Sequence, residues 1–176
     1  MFFCRSVWGA LLLCAIAAAA VVPRYSLEDL VLQSEKIVAG RVQRVSTAWD
    51  PEHKFIWTHY DVLVSDSLRG SRDRIVTISE PGGSLDGIHQ MVGGALPYSI
   101  GEEVVLFLYR TPIGYLRTTG GGQGKFTVSA NGRVHANTGG IEIIGPVRGT
   151  SLGTLENLDL RQFLSTVRAA ASRVVR

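Results

Sequence analysis

From Ile37 to Ala136 the sequence is made of short runs of β-branched and aromatic residues, each bounded by glycine, proline or an Asp/Asn turn. No other feature constrains the fold as strongly. It predicts strands near 36–46, 55–69, 74–80, 103–111, 115–119, 124–129 and 133–136. In the second run, Ile56, Tyr60, Val62 and Val64 share one parity and Trp57, His59 and Asp61 the other, as a strand with one buried face requires. Its length implies a bend. Val104 to Tyr109 is apolar on both parities, so that strand is expected to be covered on both sides. Ala130-Asn131-Gly132 between two strand-like runs predicts a tight hairpin, because Asn-Gly tolerates the positive φ such turns need.

A helix is predicted at each end. Ser26 followed by Asp29 reads as a capped start, and Leu27, Leu30 and Val31 give one apolar stripe over 26–34. Leu158, Leu160, Phe163, Leu164 and Val167 recur at helical spacing behind an Asn157 or Asp159 cap, so a C-terminal helix should pack on the sheet. Short strands with glycine-rich joints and flanking helices predict a mostly β fold. The expected form is a small OB-like closed barrel with a short N-terminal and a C-terminal helix.

Residues 1–20 read as a secretory signal peptide. Arg5 is the single charge before an apolar run from Val7 to Val22, and Ala17 to Ala20 supply the small residues at which cleavage after Ala19 or Ala20 is expected. A membrane-spanning helix needs roughly 20 apolar residues, and this run is shorter, so no stable anchor is expected after cleavage. Lipoprotein processing at Cys14 is disfavoured because Leu13 stands where a small residue is required. Both cysteines, Cys4 and Cys14, fall in the removed segment. The remaining single domain, residues 21–176, therefore needs a core rather than disulfides to hold it. The expected location is secreted or periplasmic. Removing Arg5 from the 18 basic residues leaves 17 against 15 acidic, with no basic block, so nucleic acid is not expected as a partner.

The run Ser34-Glu35-Lys36-Ile37-Val38-Ala39-Gly40-Arg41-Val42 is followed by a long strand ending Leu68-Arg69-Gly70. Ile75-Val76-Thr77-Ile78 and then Pro97-Tyr98-Ser99-Ile100-Gly101-Glu102-Glu103-Val104-Val105-Leu106-Phe107 come next. This order over residues 34–110 resembles the netrin-like domain, the family that includes the tissue inhibitors of metalloproteinases. The resemblance implies a five-stranded OB barrel with flanking helices. The sequence also looks like a group of exported bacterial proteins that continue into a segment such as Gly120 to Phe126. Those inhibitors set an N-terminal cysteine on their target's zinc and brace the barrel with disulfides. The mature chain has neither, so the resemblance carries over the fold and not that mechanism.

Four constellations hold reactive side chains. Gly120-Gly121-Gly122-Gln123-Gly124-Lys125 has the look of a phosphate loop but lacks the first glycine and the hydroxyl after the lysine, so close strand crossing is the better reading. Ser84, Asp86 and His89 have the residue types of a hydrolytic triad without a nucleophile elbow, and a hydrolase is only a remote alternative. Asp50, Glu52, His53 and His59 match no metal-ligand spacing and read as a hairpin tip, so no metal and no cofactor is expected. Trp49, Trp57 and Tyr60 could form a stacking platform, although cross-strand packing is the simpler role.

The functional expectation is an exported non-enzymatic interaction module, a modulator or companion of an extracellular protease. The alternative is a small-molecule or saccharide binding module. A long glycine-rich connection, Pro81 to Glu102, is expected either to plug the barrel or to carry the partner contact through Ile88, Met91 and Tyr98.

Overall fold

A computed structural model describes residues 21–136 and 142–174. The expected leader, 1–20, lies outside the described residues. In chain order the elements are β1 (Val21–Pro23), α1 (Leu27–Gln33), β2 (Lys36–Trp49), β3 (Ile56–Arg69), β4 (Ile75–Pro81), β5 (Gly83–Leu85), β6 (Ile88–Gln90) and β7 (Glu103–Arg110). There follow β8 (Leu116–Thr118), β9 (Lys125–Val128), β10 (Val134–Ala136), β11 (Glu142–Ile144) and α2 (Leu160–Val174). The chain is mostly β with two helices, as its texture predicts, and every strand anticipated from the sequence forms within a few residues of its expected ends.

Seven strands make one sheet in the order β10-β9-β7-β2-β3-β4-β8. β8 pairs with β7 antiparallel over Leu116 to Thr118 and with β4 in parallel at a single position, Ile78 against Leu116. The pairings among β2, β3, β4, β8 and β7 thus return to their starting strand. Register shifts between β2 and β3 near Ile37, Ala39 and Val42 bend this long pair. β3 buries Ile56, Thr58, Tyr60 and Val62 and leaves Trp57, His59, Asp61 and Leu63 half-buried, which is the alternation read from the sequence.

β7 is the divide between two cores. Val105 and Phe107 point to one, where α1 and α2 bring Leu27, Leu30, Val31, Phe163 and Val167. Val104, Leu106 and Leu108 point to the other, beside Val42, Val62, Val76 and Ile78. β2 alternates between the same two, Ile37 and Ala39 on one side and Val38 and Val42 on the other. Full burial of one such side chain contributes about 1.5–3 kcal/mol, which accounts for a strand with no polar face at the centre of the molecule.

Both helix starts follow from local chemistry. Ser26 Oγ accepts from the Asp29 amide at 3.1 Å and Asp29 Oδ2 accepts from the Ser26 amide at 2.9 Å, a capping box. Asp159, the second of the two caps offered by the sequence, accepts from the Arg161 amide at 2.9 Å. The Asn131-Gly132 hairpin forms, but only Gly132 takes a positive φ, 76°.

The glycine-rich segment does what close strand crossing requires. Gly120 and Gly121 sit in the left-handed region, at φ 69° and 60°. A Cβ on Gly124 would lie 2.7 Å from the Thr119 carbonyl oxygen and 3.1 Å from Phe107. Between them, buried Gln123 accepts from the Tyr25 amide at 2.9 Å and donates to the Pro23 carbonyl at 2.8 Å, anchoring the N-terminal segment.

One expectation needs correcting. Pro81 to Glu102 is not one irregular connection: Pro81 ends β4, and β5 and β6 form a hairpin whose turn, Asp86-Gly87, has φ 52° and 77°. Positive φ at both central residues is the geometry that Asp-Gly favours.

Candidate functional site

An exposed cleft with aromatic walls lies between the 50–55 turn and the 111–115 turn. It encloses about 320 Å³ and is lined by Asp50, Pro51, Glu52, Phe55, Trp57, Ile113 and Tyr115. Each wall is fixed by its own hydrogen bonds. Asp50 Oδ1 accepts from the amides of Lys54 at 2.7 Å and Phe55 at 3.2 Å, while the Asp50 amide donates to the Phe55 carbonyl at 2.8 Å. Opposite, the Thr111 amide donates to the Tyr115 carbonyl at 2.8 Å, and Thr111 Oγ1 accepts from the Tyr115 amide at 3.0 Å. Arg110 Nη1 donates to the Gly114 carbonyl at 2.8 Å while its guanidinium is held on Glu35, bracing that turn from behind.

The floor is aromatic. Trp57 and Tyr115 meet edge to face with centroids 4.8 Å apart, and the His59 ring is 5.6 Å from Tyr115. His59 Nδ1 bonds Ser79 Oγ at 2.8 Å, and burial, partly opposed by Asp61, holds its imidazole below the usual histidine range. Asp61 itself is held below the carboxylate range, first by the Thr77 hydroxyl and then by Arg44. The exposed rim is apolar and acidic: Phe55 is 55% exposed and Ile113 64%, beside Asp50 and Glu52.

The three residues singled out in the 81–102 segment go to different places. Ile88 is 47% exposed and Met91 85%, so both are open to contact. Tyr98 is 6% exposed and cannot join them. Its ring lies 4.8 Å from Tyr60, and its hydroxyl is hydrogen-bonded to Thr118. Burial pushes its phenol far above the ordinary tyrosine range. The segment therefore divides, with Leu96 and Tyr98 filling one end of the ring while Ile88, Met91 and Val92 stay outside.

Under the same segment lies a buried polar group that the sequence did not reveal. Lys125 Nζ donates to the Pro97 carbonyl at 2.7 Å, pairs with Glu102 at 2.8 Å and stands 4.1 Å from the Tyr98 centroid. Nearby, Glu80 is buried against Arg117 at 2.9 Å. Desolvation raises its carboxyl above the usual range in spite of that partner. The only signals for these two were a lysine beside glycines and an acid closing a strand.

The remaining constellations are dispersed. Ser84 Oγ and His89 Nδ1 are 2.7 Å apart across the β5–β6 pair, but Asp86 accepts from Trp49 Nε1 at 3.2 Å instead of orienting His89. Asp86 therefore does not serve as the orienting arm of a triad. His53 stacks on Trp49, His59 bonds Ser79, and no group of three or more His, Cys, Asp or Glu among the described residues could hold a metal ion. Trp49, Trp57 and Tyr60 form no single platform, because Tyr60 is in the core and Trp49 turns towards Asp86 while Trp57 faces Tyr115. The aromatic partner of Trp57, Tyr115, comes instead from the turn after β7, a pairing that strand parity alone could not supply. No protein-family model matches the chain, and no curated protein is significantly similar to it.

Proposed function

We propose that this chain is an exported, non-enzymatic binding module built on an OB-like barrel, netrin-like in its order of elements. Its ligand lies in the cleft between the 50–55 and 111–115 turns. Counting β2, β3, β4, β7 and β8 as strands one to five, the third and fifth are parallel and the ring returns from the fourth to the first. OB folds take ligands on the face of their second and third strands, between the loops joining strands one to two and four to five. Here those loops are residues 50–55 and 111–115. The coincidence of that place with the Trp57–Tyr115 cleft is the observation that carries the proposal.

The cleft favours a small ligand with an apolar face, the saccharide or small-molecule class, over nucleic acid, because acids and no basic residue line it. A panel of neutral oligosaccharides and small polar organic compounds, screened by saturation-transfer NMR, tests this. At least one member should bind the parent and lose binding in Trp57→Ala and in Tyr115→Ala while both variants keep the parent's melting temperature within a few degrees. Ligands that bind all three proteins equally would defeat the assignment of the site.

A protein partner is the second reading. It is supported by the exposed side chains of Ile88, Met91 and Val92, which present apolar surface to solvent. The partner on this reading is an extracellular protease or another exported protein. Loss of its capture on replacing Met91 and Ile88 by Asp would support it, and unchanged capture would remove it.

A further inference from the structure

Resting on that assignment of the cleft, we infer that it selects a small alkylammonium cation, such as the trimethylammonium group of choline. The walls combine two features that seldom occur together at an exposed site. Phe55, Trp57 and Tyr115 supply three aromatic rings, and Asp50 and Glu52 supply two carboxylates, while no lysine, arginine or histidine lines the cleft. Aromatic faces attract an alkylated cation through the ring quadrupole, and quaternary ammonium groups are bound in aromatic cages of this kind.

The two charged residues that line the cleft, Asp50 and Glu52, are both acidic. Glu52 pairs with Lys54 at 2.6 Å, but both side chains are about two-thirds exposed, so the pair is screened and readily exchanged for another cation. Asp50 uses Oδ1 to hold the turn amides of Lys54 and Phe55, leaving Oδ2 with no hydrogen-bond partner among the described residues. A neutral sugar could donate its hydroxyls to the same carboxylates, but it would gain nothing from their net charge, whereas a cation gains from both. The lining side chains offer one phenol and one indole N–H, and acids otherwise. A volume of about 320 Å³ admits a trimethylammonium group with its short chain and leaves room beside it.

The test is a titration of the purified protein with choline chloride and, in parallel, with 3,3-dimethyl-1-butanol, its uncharged isostere, followed by the amide resonances of Ile113 and Tyr115. Choline should bind at least about tenfold more tightly than the isostere, and Trp57→Leu should weaken it by about tenfold. Glu52→Gln, an exposed change that leaves the fold intact, should weaken choline by about threefold and leave the isostere unaffected. Phosphatidylcholine vesicles added in place of choline distinguish a lipid headgroup from a free cation, and binding in either arm supports the ammonium chemistry. Equal binding of choline and isostere would overturn the cation selectivity while leaving the cleft a ligand site. Failure of both to bind would overturn the inference, and the saccharide panel then reports separately on the cleft.

Discussion

The ammonium group of Lys125 stands 4.1 Å from the centre of the Tyr98 ring, and both side chains are buried beneath the segment that leads into β7. A lysine 1% exposed is tolerated because each of its needs is met: a carboxylate from Glu102, a carbonyl from Pro97 and an aromatic face. Lys125 thereby ties β9 to a segment that is otherwise irregular, and it closes the end of the ring that Tyr98 fills.

Replacing Lys125 by Met keeps the apolar stem and removes the charge, leaving Glu102 without its buried partner. Breaking a buried pair from one side costs about 3–5 kcal/mol. The Ser99 amide and the Thr127 hydroxyl still reach Glu102, so the lower end of that range is expected. Urea unfolding of parent and variant measures it, and a loss below about 1 kcal/mol would mean that the pair adds little beyond a surface bridge.

Tyr98 and the Ile88–Met91 pair should respond in opposite ways. Tyr98→Ala removes a buried ring and is expected to cost about 3–5 kcal/mol. The double change of Ile88 and Met91 to Asp alters exposed positions and should shift stability by no more than about 1 kcal/mol. Thermal unfolding of the two variants side by side checks the division of this segment into a plug and an outer ridge. Similar losses in both would contradict it.

Glu80 and Asp61 predict opposite slopes with pH. Burial raises the Glu80 carboxyl above its reference value of 4.5, so its contribution is fully present below that value and is lost as pH rises through the higher folded-state value. Asp61 is depressed from 3.8 by Thr77 and Arg44, so its contribution is present above 3.8 and is lost as pH falls through the lower folded-state value. Relative to Glu80→Gln, the parent should lose stability as pH rises from 4.5. Relative to Asp61→Asn, it should lose stability as pH falls below 3.8. Denaturation curves across pH 2–8 would show both trends, and a flat difference for Glu80→Gln would argue that Arg117 cancels the desolvation.

Much of the fold was legible because strand parity records burial directly. Ile56, Tyr60 and Val62 announce their inward face, and the unbroken run from Val104 to Leu108 announces a strand between two cores. The β5–β6 hairpin was also written in the sequence, as Asp86-Gly87 between Leu85 and Ile88, but its flanking strands are three residues each and too short for a pattern to stand out. Tyr98 stayed open between plug and contact because an apolar residue in a long loop looks alike whether it faces out or folds back. The candidate site was half legible: the acids and Trp57 lie near one turn, whereas Tyr115 and Ile113 are about 60 residues away and reach it only through the pairing of β8 with β4 and β7. Lys125 resembled a failed phosphate lysine because its partners, Pro97 and Glu102, come from a separate segment.

The central claim is that ligand contact falls on the Trp57–Tyr115 cleft, and a residue-resolved NMR map tests it most directly. Titration of any ligand that binds the protein should shift the indole signal of Trp57 and the amides of Phe55, Ile113 and Tyr115. The indole of Trp49, which donates to Asp86 and does not line the cleft, should shift less than that of Trp57. Shifts centred on Ile88, Met91 and Val92, with Trp57 unmoved, would contradict the account and move the binding surface to the outer ridge.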